Sequence, residues 1–232
     1  MEGSMTITDI EAIVTISAKA LETADQVTRH VLSQLVGHLL ASTQTEGTPS
    51  KSEPSPRGQQ ESGGNDESSS AQHVSENSKV GVTSGEMFNM LSSQINKLHI
   101  SRRVRVGIFD FYAALLSKLG SAFVESNYSL IVGHLMTEIV SNPRLTTTRQ
   151  EMLLNRHLVG ILLRDLIGVR MLSEQGQIVA IQELSRSYLK RWPAVMPGQV
   201  SPNSSVLTVV LRETAGLLKQ LGNAPPPVQV CC

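Results

Sequence analysis

Hydrophobic positions along this chain recur, segment after segment, at the spacing of one face of an α-helix. The clearest run covers residues 101–124, where Val104, Ile108, Phe111, Tyr112, Leu115, Leu116 and Leu119 follow the i, i+3, i+4, i+7 pattern. Ser101 stands where an N-cap belongs, and Gly120 closes the run with a residue that tolerates a left-handed backbone. Ahead of it, Met87, Met90, Leu91, Ile95 and Leu98 predict a helix over 87–99. The pattern predicts that Val104, Ile108, Leu115 and Leu119 are buried against Met90, Leu91 and Ile95.

The rest of the chain repeats the theme. Ile10, Ile13, Val14 and Leu21 line a first helix. After the short polar stretch 22–25, Val27, Val31, Leu35 and Leu39 form a second stripe, with Leu32, Val36 and Leu40 beside it. These two helices predict an antiparallel hairpin over 6–42. A helix over 126–141 is apolar across a wide arc, so neighbours should cover it on more than one side. Asn142-Pro143 stops it, because the residue before proline avoids the helical region. Over 146–169, Leu154, Leu158, Ile161, Leu162, Leu166 and Val169 stand in register. Ser173 opens a helix lined by Ile178, Ile181, Leu184 and Tyr188, and Trp192-Pro193 ends it. A last helix over 204–221 carries Val206, Val209, Val210, Leu217 and Leu221 before Gly222 and Pro225. The result is roughly eight helices joined pairwise by short turns, with no strand alternation. This predicts an all-α fold, an α-solenoid of antiparallel helix hairpins of the HEAT or armadillo type, with helical repeats over 84–222.

One segment breaks the pattern. Residues 43–83 are rich in Ser, Gly, Glu, Gln, Asn and Pro and nearly devoid of large apolar side chains. Such a stretch buries too little surface to offset the entropy of ordering it. It predicts a disordered insertion between helices, and residues 223–232 a flexible tail.

Composition narrows the function classes. The chain of 232 residues has 20 basic and 20 acidic side chains, so no overall charge draws it to nucleic acid or membrane. Aromatics make up 3% of it, leaving few platforms on which bases could stack. The only cysteines, Cys231 and Cys232, end the chain, which excludes a disulfide framework and fits a reducing compartment. No uninterrupted apolar run reaches the length of about 18 residues that spans a bilayer. Nucleotide-binding loops, a nucleophile elbow and HExxH are all absent from the sequence. His30 and His38 share a helix face eight residues apart, a spacing better explained by partly buried helical histidines than by a metal site. Asp110, Glu138 and Asp165 are single acids on helices, suited to pairing with arginines or facing water. No catalytic residue, metal or cofactor is expected.

The one candidate site is basic. Arg102, Arg103 and Arg105 cluster at the start of the central helix. They either donate hydrogen bonds within an inter-helix turn or face outward to hold phosphate or an acidic partner.

Helix, short turn, then Val104-Arg105-Val106-Gly107 opening a second helix is how a HEAT repeat reads. Three stretches resemble the large HEAT-repeat-containing protein 5 family, the Laa-type accessory proteins of the type-one clathrin adaptor. They are Ala18-Lys-Ala-Leu-Glu22 continuing to Gly37; Arg103-Val-Arg-Val-Gly107 continuing through Ser141-Asn-Pro-Arg144; and Leu162-Leu-Arg-Asp-Leu-Ile-Gly168 continuing to Leu211-Arg-Glu-Thr-Ala-Gly-Leu-Leu218. Thr28 departs from the family, which tends to carry arginine directly after the valine. The resemblance implies an N-terminal segment of a longer scaffold without catalytic activity. It implies protein partners, including the type-one clathrin adaptor and its accessory proteins, with no nucleic acid and no transmembrane segment. It further implies a cytoplasmic chain, peripheral at trans-Golgi network, endosomes and endocytic vesicles, supporting protein localisation and endosome-to-Golgi retrograde transport. A generic HEAT scaffold in another pathway is the alternative.

Overall fold

The computed structural model describes residues 5–45, 82–97, 100–189 and 204–222. Most of the expected insertion, the stretch 190–203 with Trp192-Pro193, and the tail with Cys231 and Cys232 lie outside them. The described residues are mostly helical, with no strand: α1 (Ile7–Ala20), α2 (Gln26–Thr45), α3 (Ser84–Ile95), α4 (Arg102–Ser126), α5 (Tyr128–His134), α6 (Arg149–Gly160), α7 (Glu174–Leu184) and α8 (Ser204–Gly222). Three of these run on into wider i→i+5 turns: π1 (Leu135–Val140) after α5, π2 (Ile161–Met171) after α6 and π3 (Ser185–Leu189) after α7. Ser141 N–H donating to Met136 and Leu172 N–H donating to Ile167 mark the ends of the first two.

Helix starts are fixed locally. Thr6, Thr83 and Thr148 each accept from the third residue of the helix that follows, while the carboxylates of Asp9, Glu86 and Glu151 reach back to the cap N–H. Ser101 Oγ accepts from Val104 N–H at 3.2 Å and donates to Glu22 at 2.7 Å, capping α4 and tying it to the α1–α2 turn. Gly120, at φ 80°, puts a break inside α4, so the helical run continues past the expected stop at a changed angle.

α4 is the centre of the packing. Val104, Ile108, Phe111, Tyr112, Leu115 and Leu116 are all buried on it. Leu119 is only half-buried, and the main neighbour is α2 rather than the expected α3. α4 also has a window of mean hydropathy 1.3, long and apolar enough to cross a membrane by length and composition. In the fold 44% of that window is buried against other helices. Among the helix contacts, α1 meets α2, α3 meets α4, α6 meets π1, and α7 meets α8, while α1 also meets α4 and α6 also meets α8. Across these pairs, α1 meets α3 and α5 meets α7, while α2 meets α4, α4 meets π2, and π2 meets α8. Phe88 on α3 and His134 on α5 add a ring contact at 5.5 Å. One continuous apolar core runs through all of these helices.

Three sequence expectations fail here. On α2 the stripe Val27, Val31, Leu35 faces solvent at 72%, 58% and 51% exposure, and the buried face is Ser33, Val36, Gly37 and Leu40. Small residues make that face: a methyl group on Gly37 would lie 2.8 Å from Ala114 Cβ and from the α4 backbone, so only glycine allows the crossing. On α6 and π2, Val169 and Ile161 are exposed, whereas Val159, Leu162, Leu163, Ile167 and Met171 are buried. The wider turns of π2 rotate the register away from a 3.6-residue period. The two ends of the expected insertion also belong to the fold, because residues 43–45 are part of α2 and Val82 is buried. Gln44 Nε2 donates to the Val82 carbonyl at 2.7 Å and Ser84 Oγ donates to Gln44 Oε1 at 2.9 Å, which brings the two ends of the segment together.

Candidate functional site

The three arginines read as one cluster have three separate fates. Arg105 is buried, and its Nη2 donates to Glu151 Oε1 at 3.3 Å. Its acceptor is therefore the capping carboxylate of α6, not a group in the α3–α4 turn. The Glu151 carboxyl is held below the usual range first by the Thr147 hydroxyl and then by the Arg105 charge. Arg105 Nε is buried with no partner among the described residues. Arg103 is exposed, and its guanidinium donates to the Ala24 carbonyl in the α1–α2 turn. Arg102 faces solvent.

Arg103 opens onto a groove of about 630 Å³ across α2, α4 and π2. Gln26, Arg29, His30, Ser33 and Gln34 form its α2 wall, Asp110, Ala113 and Ser117 its α4 floor, and Leu166 and Arg170 its far wall. Arg29 is paired with Asp110, which joins α2 to α4. Ser33 Oγ donates to the Arg29 carbonyl at 2.7 Å, so this hydroxyl is spent inside its own helix. Asp25 lies near Arg103, but its carboxylate accepts from Thr28 N–H at 2.7 Å, which holds it below the usual carboxylate range. The groove thus presents three guanidiniums and one histidine against the single carboxylate of Asp110. His30 and His38 are both exposed, not partly buried as the sequence suggested. Among the described residues no three His, Cys, Asp or Glu side chains group as metal ligands. Asp165 pairs with its neighbour Arg164 at 2.7 Å.

No family model matches this chain, and no solved structure matches it.

Two polar features inside the fold escaped the sequence reading. The Tyr112 hydroxyl, buried on α4, lies 2.8 Å from His134 Nε2 and 3.4 Å from the Phe88 carbonyl. Burial pulls the His134 pKa down to about 4 and pushes the Tyr112 phenol well up. Glu213 on α8 is 2% exposed; Arg212 Nε reaches its Oε1 at 3.3 Å, while Oε2 is buried without a partner among the described residues. Burial raises its carboxyl above the usual range. Neither feature has a signal in one sequence, because each depends on which neighbours the fold supplies. Arg29 and Arg170 were equally out of reach as companions of Arg103, since three different elements deliver them to one groove.

Proposed function

We propose that this chain is a non-catalytic scaffold segment, an α-solenoid of stacked helix hairpins of the HEAT type that presents a surface to protein partners. The carrying observation is the scheme of helix contacts. Several neighbouring hairpins pack like helix on like helix: α1 on α3 and α5 on α7 on one side, α2 on α4 on π2 on α8 on the other. These contacts support a nearest-neighbour stacking of the kind found in solenoids, whose extended faces serve as binding surfaces. The groove supports the same reading, since it crosses three successive helices of the second layer and is wide and shallow rather than a closed reaction chamber.

The resemblance to the HEAT-repeat-containing protein 5 family supports a narrower form of the proposal. In it the scaffold serves clathrin-adaptor-dependent vesicle traffic, protein localisation and endosome-to-Golgi retrograde transport, held at membranes by its partners. Affinity capture with the tagged full chain, probed for type-one adaptor subunits, tests this. Recovery of those subunits is the expected result. Capture of other proteins without them would retire the trafficking part and leave the general scaffold. Turnover of a nucleotide or ester substrate by the purified chain, abolished by a groove substitution, would overturn the non-catalytic reading.

A further inference from the structure

The groove and the exposed stripe of α2 lie side by side. Val27, Val31 and Leu35 follow one another at intervals of four, next to His30 and Gln34 on the helix surface. Three aliphatic side chains more than half exposed on successive turns form a contiguous apolar strip, which is uncommon on a surface without a partner. Across the adjoining groove stand Arg103 and Arg170, both exposed, with Arg29 on the α2 wall paired to Asp110. Arg103 spends one Nη on the Ala24 carbonyl, and the guanidinium fork has further donors to offer.

Resting on the scaffold reading, we propose that this groove binds an acidic amphipathic helical segment of a partner protein. Its carboxylates dock on Arg103 and Arg170, and its apolar face lies along Val27, Val31 and Leu35. Charge complementarity selects the partner: the groove lining carries Arg29, Arg103, Arg170 and His30 against Asp110, with Asp25 near Arg103 and Asp165 near Arg170 only partly offsetting them. The apolar strip excludes a purely electrostatic ligand, because a polyphosphate backbone makes no use of three aliphatic side chains. The groove lining also holds no Phe, Tyr or Trp on which bases could stack. A helix with one acidic and one leucine-rich face uses both halves of the surface, in the helix-in-groove mode.

The test uses the full chain and a fluorescein-labelled peptide of roughly 15 residues, about four helical turns, with glutamates on one face and leucines on the other. Anisotropy titrations at low and high salt are compared with a peptide of the same composition in scrambled order. The expected result is saturable binding of the amphipathic peptide only, weakened by salt. Arg170→Glu and Val31→Ser should each weaken it about tenfold, with unchanged melting curves and with Arg102→Glu without effect. Equal binding of the scrambled peptide, or equal loss with Arg102→Glu, would overturn the proposal, as would displacement by a single-stranded oligonucleotide in preference to unlabelled peptide. Adaptor capture that survives Arg170→Glu and Val31→Ser would sink this assignment while leaving the scaffold reading intact.

Discussion

Gly37 on α2 and Ala114 on α4 touch so closely that a methyl group added to Gly37 would lie 2.8 Å from Ala114 Cβ. The contact is with backbone as well as side chain, so no rotamer change relieves it. Gly37→Ala gains helix propensity of just under about 1 kcal/mol, yet it must push α2 off α4. The expected net effect is destabilisation of about 1–3 kcal/mol, read from denaturant midpoints. Gly85→Ala is the control: nothing lies within 4 Å of a Cβ there, and this variant should be neutral or slightly more stable.

Arg105 and Arg102 should separate cleanly. Arg105→Ala removes a buried guanidinium and leaves the Glu151 carboxylate without that partner, and a loss of about 1–3 kcal/mol is expected. Arg102→Ala touches only solvent and should leave the melting midpoint where it is. A midpoint for Arg105→Ala equal to wild type would mean that the Arg105–Glu151 pair contributes no net stability, the behaviour of a solvent-exposed ion pair.

His134 predicts an acid-sensitive limb. Its folded pKa of about 4 lies below the ordinary value of 6.5, so the unfolded chain takes up the proton first. Its contribution is complete above about pH 6.5 and is lost as pH falls toward 4, below which it levels off. The full amplitude is on the order of 1–3 kcal/mol. His134→Gln, which keeps a polar partner for Tyr112, should flatten the stability profile between those limits. The carboxylates of Asp9 and Glu86, held low by their caps, and of Glu151, held low first by the Thr147 hydroxyl, still weaken the fold below that window.

Glu213 works in the opposite sense. Burial raises its folded pKa, so its protonated form suits the native state and stability falls as pH climbs past the usual carboxylate range. Glu213→Gln removes the charge while keeping the shape. This variant should melt higher than wild type at pH 7 and no higher at pH 4. A lower melting temperature at pH 7 would show that Arg212 and its neighbours stabilise the ionised form.

Helix existence was legible in the sequence because each segment carries enough aliphatic residues at helical spacing, and Ser101 marked its own cap. Which face is buried was less so. On α2 the aliphatic stripe lost to a face containing Ser33 and Gly37, because close approach to α4 rewards small size and hydrophobicity does not report size. On π2 the period itself changed, so a correct start at Leu158 led to a wrong end at Val169. The three threonine capping boxes were present as Thr-x-x-Asp or Thr-x-x-Glu patterns and locate helix starts within one residue. The arginine cluster was visible as a cluster, but its division into a core group, a groove group and a solvent group depends on Glu151 and Ala24, supplied by distant elements.

Gly120 combines a φ of 80° with open space around its missing Cβ. The restriction at this position is therefore purely torsional, and it is blind to volume. At Gly37 the cost of a substitution should climb with side-chain size. At Gly120 alanine, leucine and lysine should all lose a similar amount, about 1–2 kcal/mol, and asparagine should lose least. A size series at the two glycines would therefore give a slope at one and a single step at the other, telling a steric requirement from a conformational one within the same pair of helices.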